Sequence, residues 1–297
     1  MIFFYRIYFF IILLVTGIAY AEPLPVFSMG FYLPVIRDVP RKDVEISLRF
    51  WIEEVCKSMD VDCKPVRFYD DQHALKQALN DDTINFVVAT SMCFVQNFPT
   101  EELSDGFSGY KHIDDDLLLV VRRDAAIHSP ADLAGKRMAL LDSDELTDIY
   151  LGTLLMKAGM KPDLSQLSTL SRETRSSKQV YQLFFEKADA ALIYRSGYET
   201  ALDLNPQIGQ RMQVLEKYTF KNRSPHAAFF SSRVNPLSRE LIIKAGLKFA
   251  GTPRGLQVLQ LYQSTDMERT KVSDLLPYRE LLNTYQTLRK ASGVRKK

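Results

Sequence analysis

Apolar residues along this chain alternate between two rhythms. Short unbroken runs, such as Phe86-Val87-Val88-Ala89 and Leu117 to Val121, have the length and composition of strands buried on both faces. Between such runs the spacing changes: Val44, Leu48, Trp51, Ile52, Val55 and Met59 recur at helical intervals and predict a helix over 43–59. Read this way, the chain predicts strands at 26–31, 66–69, 85–89, 117–121, 137–141, 167–170, 190–194, 214–218 and 227–231. Helices are predicted at 74–79, 146–158, 179–186, 237–249, 253–261 and 278–290, with Gly159 ending the second of these. Strands alternating with helices predict an α/β protein. No internal repeat and no Pro/Gly/Ser-rich linker interrupts the pattern, so two α/β halves would be joined by strands that cross between them.

The first residues break the rhythm. Arg6 precedes an apolar run from Ile7 to Val15, and Ala19 and Ala21 stand at the −3 and −1 positions of a signal-peptidase site. Glu22, Pro23 and Pro25 follow and stop any helix. An uncleaved anchor is the competing reading. Against it, the run is short beside the roughly 20 residues that a span needs. Residues 1–21 are therefore expected to be a cleaved signal, and no Cys follows the site to be lipidated. With no later span, the expectation is no stable membrane insertion after cleavage, hence a freely diffusing periplasmic protein.

Composition narrows the class. The net charge is +2 over 297 residues, with charges interspersed, which gives no nucleic-acid footprint. The basic end Arg295-Lys296-Lys297 has the character of a solvated tail. Three cysteines in an oxidising compartment suggest one pair and one left over. Cys56 near a helix end and Cys63 at the opening of the next strand form a corner that can reach disulfide distance, leaving Cys93 as a free, buried thiol. The four His residues are scattered, so no metal site is expected. No Ser-His-Asp order and no phosphate loop stands out, so neither an enzyme nor a cofactor is indicated.

In open α/β sheets ligands gather at the carboxyl ends of strands. That rule selects Tyr32, Thr90, Ser91, Asp142, Ser143 and Tyr194. His226, just before a strand, is a further candidate with a competing structural role. Each of the others also has a plain reading as a strand-end aromatic or a turn residue that satisfies backbone groups.

The stretch Ser129-Pro130-Ala131-Asp132-Leu133-Ala134-Gly135-Lys136-Arg137-Met138-Ala139 resembles an element of type II periplasmic solute-binding proteins, in particular the phosphonate/phosphite-binding, PhnD-like branch. Tyr32-Leu33-Pro34, Asn85 to Ser91, Lys187 to Tyr194 and Ser224 to Phe229 match in order. The resemblance implies a two-lobed type II fold with a ligand cleft between lobes joined by crossing strands. Lobe 1 would hold 22–116 and 221–297, and lobe 2 would hold 117–220. Capture would proceed by hinge closure on a small polar ligand, delivered by a monomer to an ABC permease.

In the phosphonate-binding relatives the turn after the 137–141 strand is rich in Ser, Thr and Gly, whose hydroxyls and N–H groups hold the anion. Here Ser143 and Thr147 survive among Asp142, Asp144, Glu145 and Asp148. Carboxylates in a first helical turn favour the macrodipole, and Asp144 has the position of an N-cap. The same carboxylates would fill or repel an oxyanion site, which argues for a cationic or zwitterionic ligand, with Arg195 or His226 as a positive counterpart for any acidic end. The alternative is an accessory or sensor module of the same fold that binds a protein partner such as a sensor kinase ectodomain.

Overall fold

The structure, a computed structural model, describes residues 26–36, 40–59, 63–110, 116–161, 164–219, 226–261 and 264–293. The expected signal at 1–21, Ser224-Pro225 and the basic end 295–297 lie outside the described residues.

Two five-stranded sheets organise the chain. The first has the order β2 (Arg67–Tyr69), β1 (Met29–Tyr32), β3 (Phe86–Thr90), β11 (His226–Ser231), β4 (Leu103–Ser104). The second has the order β10 (Met212–Tyr218), β6 (Leu117–Arg122), β9 (Ala190–Tyr194), β7 (Arg137–Leu141), β8 (Thr169–Glu173). A two-stranded ribbon of β5 (Gly106–Tyr110) and β12 (Asp266–Thr270) accompanies the first. The sheets repeat one device. A parallel strand pairs antiparallel with a strand from a distant part of the chain, β3 with β11 and β9 with β6. The register sets His226 opposite Thr90, and Leu117 opposite Tyr194. Both long-range strands thus begin beside the carboxyl end of a parallel strand.

The helices are α1 (Arg41–Met59), α2 (Gln72–Asn80), α3 (Ser91–Asn97), α4 (Glu145–Lys157), α5 (Ser176–Phe184), α6 (Arg195–Leu204), α7 (Gln207–Arg211), α8 (Pro236–Ala250), α9 (Pro253–Leu261) and α10 (Leu276–Ala291). Most sequence expectations hold to within a few residues, and 137–141, 190–194 and 253–261 hold to the residue. Helices α3, α6 and α7, strand β4 and the β5–β12 ribbon have no counterpart among the predicted elements. Cys63 differs too: it pairs with Phe27 in an isolated parallel bridge, and β2 opens at Arg67. Cys56 and Cys63 are bonded to each other with their Cα atoms 6.1 Å apart, and Cys93 is a buried free thiol.

Helix α4 carries buried side chains on almost every side, among them Leu146, Ile149, Leu151 and Leu155. A helix apolar all round must be enclosed, and α4 is held by β7, by α3 and by α10. Helix α10 also packs on α3, so the last described helix ties elements of the two sheets together. One apolar cluster runs through both sheets, with Phe94, Phe229, Leu119, Leu140, Leu151 and Tyr278 as members. Each such side chain contributes about 1.5–3 kcal/mol on burial. The helix start in this enclosed cluster is therefore firmly placed.

The motif at 129–139 is architectural. Ser129 caps a short helical turn, and Asp132 accepts hydrogen bonds from the His128 and Ser129 amides, both at 2.9 Å. Gly135 takes a left-handed φ of +69°, which a Cβ would disfavour. Lys136 Nζ donates to the Ala125 carbonyl at 2.8 Å. Asp189 receives the Arg137 guanidinium at 3.0 and 2.7 Å and the Arg137 amide at 3.0 Å, anchoring the start of β7. The hydrogen bonds from Arg137, outweighing burial, hold the Asp189 carboxyl below its ordinary range.

Candidate ligand cleft

A narrow cleft lies where the strand ends of the two sheets face each other. Tyr32, Thr90 and Met92 line it from the first sheet's side; Ser143, Glu145 and Tyr194 line it from the second's. Asp144 and Leu146 complete its wall. Four of the residues selected by the strand-end rule, Tyr32, Thr90, Ser143 and Tyr194, are therefore brought together.

The remaining candidates, Ser91 and Asp142 from that rule and His226 and Thr147 from elsewhere, are placed differently. Ser91 and His226 line a small neighbouring cavity, together with Ser108, Glu268, Thr270 and Asp274. Ser91 is the first residue of α3 and is buried. Asp142 is exposed and outside the cleft wall. Thr147 is fully buried in the first turn of α4, where its Oγ1 donates to the Asp144 carbonyl at 2.9 Å.

Local structure explains the geometry on each side. Thr90 is extended at φ −65°, ψ 147°, and caps α3 by accepting the Cys93 amide at 3.1 Å. On the other side β7 ends at Leu141, and Ser143 takes a left-handed φ of +54°. That reversal brings Asp144 into place as the cap of α4, its Oδ1 accepting the Leu146 amide at 3.1 Å. Asp144 is 1% exposed, so a buried carboxylate of the chain itself occupies the helix N-terminus. Tyr194, at the end of β9, precedes α6 directly.

Glu145 dominates the electrostatics that reach across the cleft. Burial first, and then the Glu145 carboxylate, push the Tyr32 phenol well above its ordinary range. The same two causes, in the same order, push up the Cys93 thiol. No lysine, arginine or histidine is among the described residues that line this cavity. Arg195, expected as a possible positive counterpart, is committed elsewhere. Its guanidinium pairs with Asp116, which also receives Lys217 Nζ at 3.1 Å. Burial opposes ionisation of Asp116, but hydrogen bonds from Lys217, Arg195 and Thr219 outweigh it and hold the carboxyl below its ordinary range. His226 belongs to the neighbouring cavity.

Chemically, the cleft wall offers hydroxyl groups, two tyrosine side chains and carboxylate. Sequence reasoning did not place Met92 or Leu146 in the wall. Met92 lies on the unpredicted helix α3, and Leu146 was read only as the start of an apolar helix. Among the described residues no group of three His, Cys, Asp or Glu side chains stands in a metal-holding arrangement. No helix among them is long and apolar enough to cross a membrane.

The family described as "ABC transporter, phosphonate, periplasmic substrate-binding protein" matches residues 47–275. No curated protein matches the sequence. Among solved structures, a binding protein component of an ABC phosphonate transporter from Pseudomonas aeruginosa is similar at TM-score 0.62 and 14% identity, over 90% of this chain and 89% of that one. A Xanthomonas citri protein bound to ATP is similar at TM-score 0.65 and 12% identity, over 89% and 98%. PhnD1 from Prochlorococcus marinus, in complex with methylphosphonate, is similar at TM-score 0.60 and 13% identity, over 87% and 98%. At such identities the likeness is one of fold, the two-lobed α/β fold of type II periplasmic binding proteins.

Proposed function

The chain belongs to the family of periplasmic substrate-binding proteins of ABC phosphonate transporters, and within it we propose a member whose cleft takes a small cationic or zwitterionic solute in place of a phosphonate. One observation carries this reading: the cavity between the strand ends holds Glu145 and Asp144, and among the described residues no basic side chain lines it. An oxyanion would meet the buried Asp144 carboxylate at the helix N-terminus where anions otherwise dock. Two like charges about 4 Å apart repel by roughly 4 kcal/mol at the effective dielectric of a partly buried pair. A cation gains from the same field, and the tyrosines Tyr32 and Tyr194 stand in the wall beside it.

In this proposal residues 1–21 are removed on export, lobe 1 comprises 22–116 and 221–297, and lobe 2 comprises 117–220. The captured solute passes to an ABC permease, with no chemical step on the protein. Tyr32, Thr90, Ser143 and Tyr194 orient the ligand through their hydroxyls, and Glu145 selects its charge.

A thermal-shift panel tests this reading. Small amines, amino acids and methylphosphonate are offered to the chain purified from the periplasm. A ligand at 100 times its Kd stabilises by about 2.7 kcal/mol and raises Tm. The expected result is a shift with a cation or zwitterion, diminished in Glu145→Gln, and none with methylphosphonate. A shift with methylphosphonate alone would overturn the charge assignment. No shift with any solute would overturn solute capture and leave the partner-binding role of the same fold.

A further inference from the structure

The register of the second sheet sets one buried carboxylate beside a residue of the cleft wall. Strand β6 pairs with β9 so that Leu117 stands opposite Tyr194. Asp116, one residue before Leu117, therefore meets Arg195, one residue after Tyr194. The ladder continues by one bond there: the Arg195 amide donates to the Asp116 carbonyl at 2.8 Å. The Arg195 guanidinium pairs with the carboxylate of the same residue. Arg195 is the first residue of α6, and Tyr194, at φ −66° and ψ 140°, gives that helix no side-chain cap. The start of α6 is thus held from outside, by the backbone and the side chain of Asp116 together.

We propose that Asp116 and Arg195 are positioning residues for Tyr194, fixing where this tyrosine stands in the cleft wall, an assignment that rests on Tyr194 orienting the solute there. Asp116 is 1% exposed, and a buried carboxylate is costly unless it is paired. Its partners converge from neighbouring segments at the cleft end of the sheet: Arg195 from the start of α6, and Lys217 Nζ, at 3.1 Å, and Thr219 from the end of β10. Tyr218, between the last two, packs its ring 4.8 Å from that of Tyr150 on α4, the helix that opens with Glu145. One carboxylate therefore serves the second side of the cleft twice, at Tyr194 through Arg195 and at α4 through β10.

Positioning and plain support differ in what they predict. A buried ion pair adds little net stability over well-packed apolar side chains, so stability alone does not call for one here. Two bonds from Arg195 to a single residue, by contrast, leave the adjoining Tyr194 one setting. Lys217 is the internal control. It brings a second cation to the same carboxylate, but from β10, which β6 separates from β9. The sign of the binding effect separates the explanations further. Loss of a cation at 195 would by field alone favour a bound cation, whereas loss of positioning weakens binding.

The test places 3-fluorotyrosine at position 194 and, in a separate sample, at position 32, and reads each by fluorine NMR in the chain purified from the periplasm, with no ligand present. Asp116→Asn alters nothing adjacent to Tyr194 in sequence, and Arg195→Met leaves Asp116 paired with Lys217. In both variants the resonance at 194 should split into more than one while that at 32 stays single, with circular dichroism native. Lys217→Met should leave both resonances single. Methylammonium, titrated by calorimetry, should bind Arg195→Met about tenfold more weakly than wild type and Lys217→Met within about twofold. A single resonance at 194 in either folded variant, equal splitting at 32, splitting at 194 in Lys217→Met, or tighter methylammonium binding by Arg195→Met would each overturn the proposal. Should Asp116→Asn fail to fold, Arg195→Met decides; should that fail too, Arg195→Gln is read in the same way. Methylammonium failing to bind wild type would overturn the cation reading of the cleft instead, and the fluorine signals, which need no ligand, would still decide the positioning of Tyr194.

Discussion

Two turns do the same job on opposite sides of the cleft with different chemistry. After β3 the chain enters α3 through Thr90, an extended residue whose neutral hydroxyl caps the helix. After β7 it enters α4 through Asp142, the left-handed Ser143 and the carboxylate cap Asp144. Both caps hold one backbone amide at 3.1 Å. Folding alone therefore asks for no more than a hydrogen-bond acceptor at either place. The carboxylates on the second side are a surplus over what the helix needs, and a surplus of charge beside a cleft is what selects a ligand's sign.

The sharpest test of this comparison is the cap itself. Thr90→Ala and Asp144→Ala should each cost about 0.5–2 kcal/mol of unfolding free energy, with Asp144 at the upper end because it is the more deeply buried. Asp144→Asn keeps an acceptor and removes the charge. Its stability, followed by urea unfolding, should lie within a few tenths of a kcal/mol of wild type. If Asp144→Asn loses as much as Asp144→Ala, the charge is structural and the surplus argument fails.

A smaller effect comes from crowding carboxylates in one turn. Burial first, then Asp144 and Asp142, push the Asp148 carboxyl above its ordinary value of 3.8, against the opposing pull of Arg172 at 2.7 Å. A carboxyl raised on folding holds its proton more tightly in the native state. Its contribution is present below 3.8 and is lost as pH rises through the folded pKa. Wild type should therefore lose stability relative to Asp148→Asn as pH rises from about 3.5 through the folded pKa, and run parallel above it. Urea midpoints at a series of pH values read this difference. The turn at Thr90-Ser91 has no carboxylate to add such a slope.

The same two turns show where sequence reading succeeds and where it stops. Strands β7 and β9 are legible because each is a continuous apolar run with clear ends. The residue at or just past a strand end still follows the sheet's geometry, which is why Tyr32, Thr90, Ser143 and Tyr194 were found. One residue further, helical rotation takes over. Ser91 opens α3 and is turned inward, and Thr147 lies inside the first turn of α4. Helix α3 itself escaped because Ser91 to Val95 are all buried, so no polar face marks a period. Helix α6 begins Arg-Ser-Gly; Gly197 lowers helix propensity, yet a Cβ there would fall 2.3 Å from Ser176 Cβ. The ribbon of β5 and β12 joins segments about 160 residues apart, the second of them polar, and nothing local announces the pairing.

The finest distinction between the turns is one of backbone strain, and a single substitution should act on them with opposite sign. Ser143 has φ +54°, a left-handed conformation that costs a residue with a Cβ roughly 1–2 kcal/mol. Thr90, at φ −65°, carries no such cost. Glycine removes the strain at 143 but adds about 0.5–1 kcal/mol of unfolded-state freedom. Ser143→Gly should therefore stabilise by a few tenths to about 1 kcal/mol. Thr90→Gly gains no relief, loses its side-chain cap and should destabilise by up to about 1 kcal/mol. Ser143→Gly also deletes a hydroxyl from the cleft wall, so higher stability should come with weaker solute binding, as strain held at a working site requires. Unfolding and binding measured on the same variant separate the two effects. If Ser143→Gly destabilises as Thr90→Gly does, strain is not what sets the second turn apart, and only its charge distinguishes it from the first.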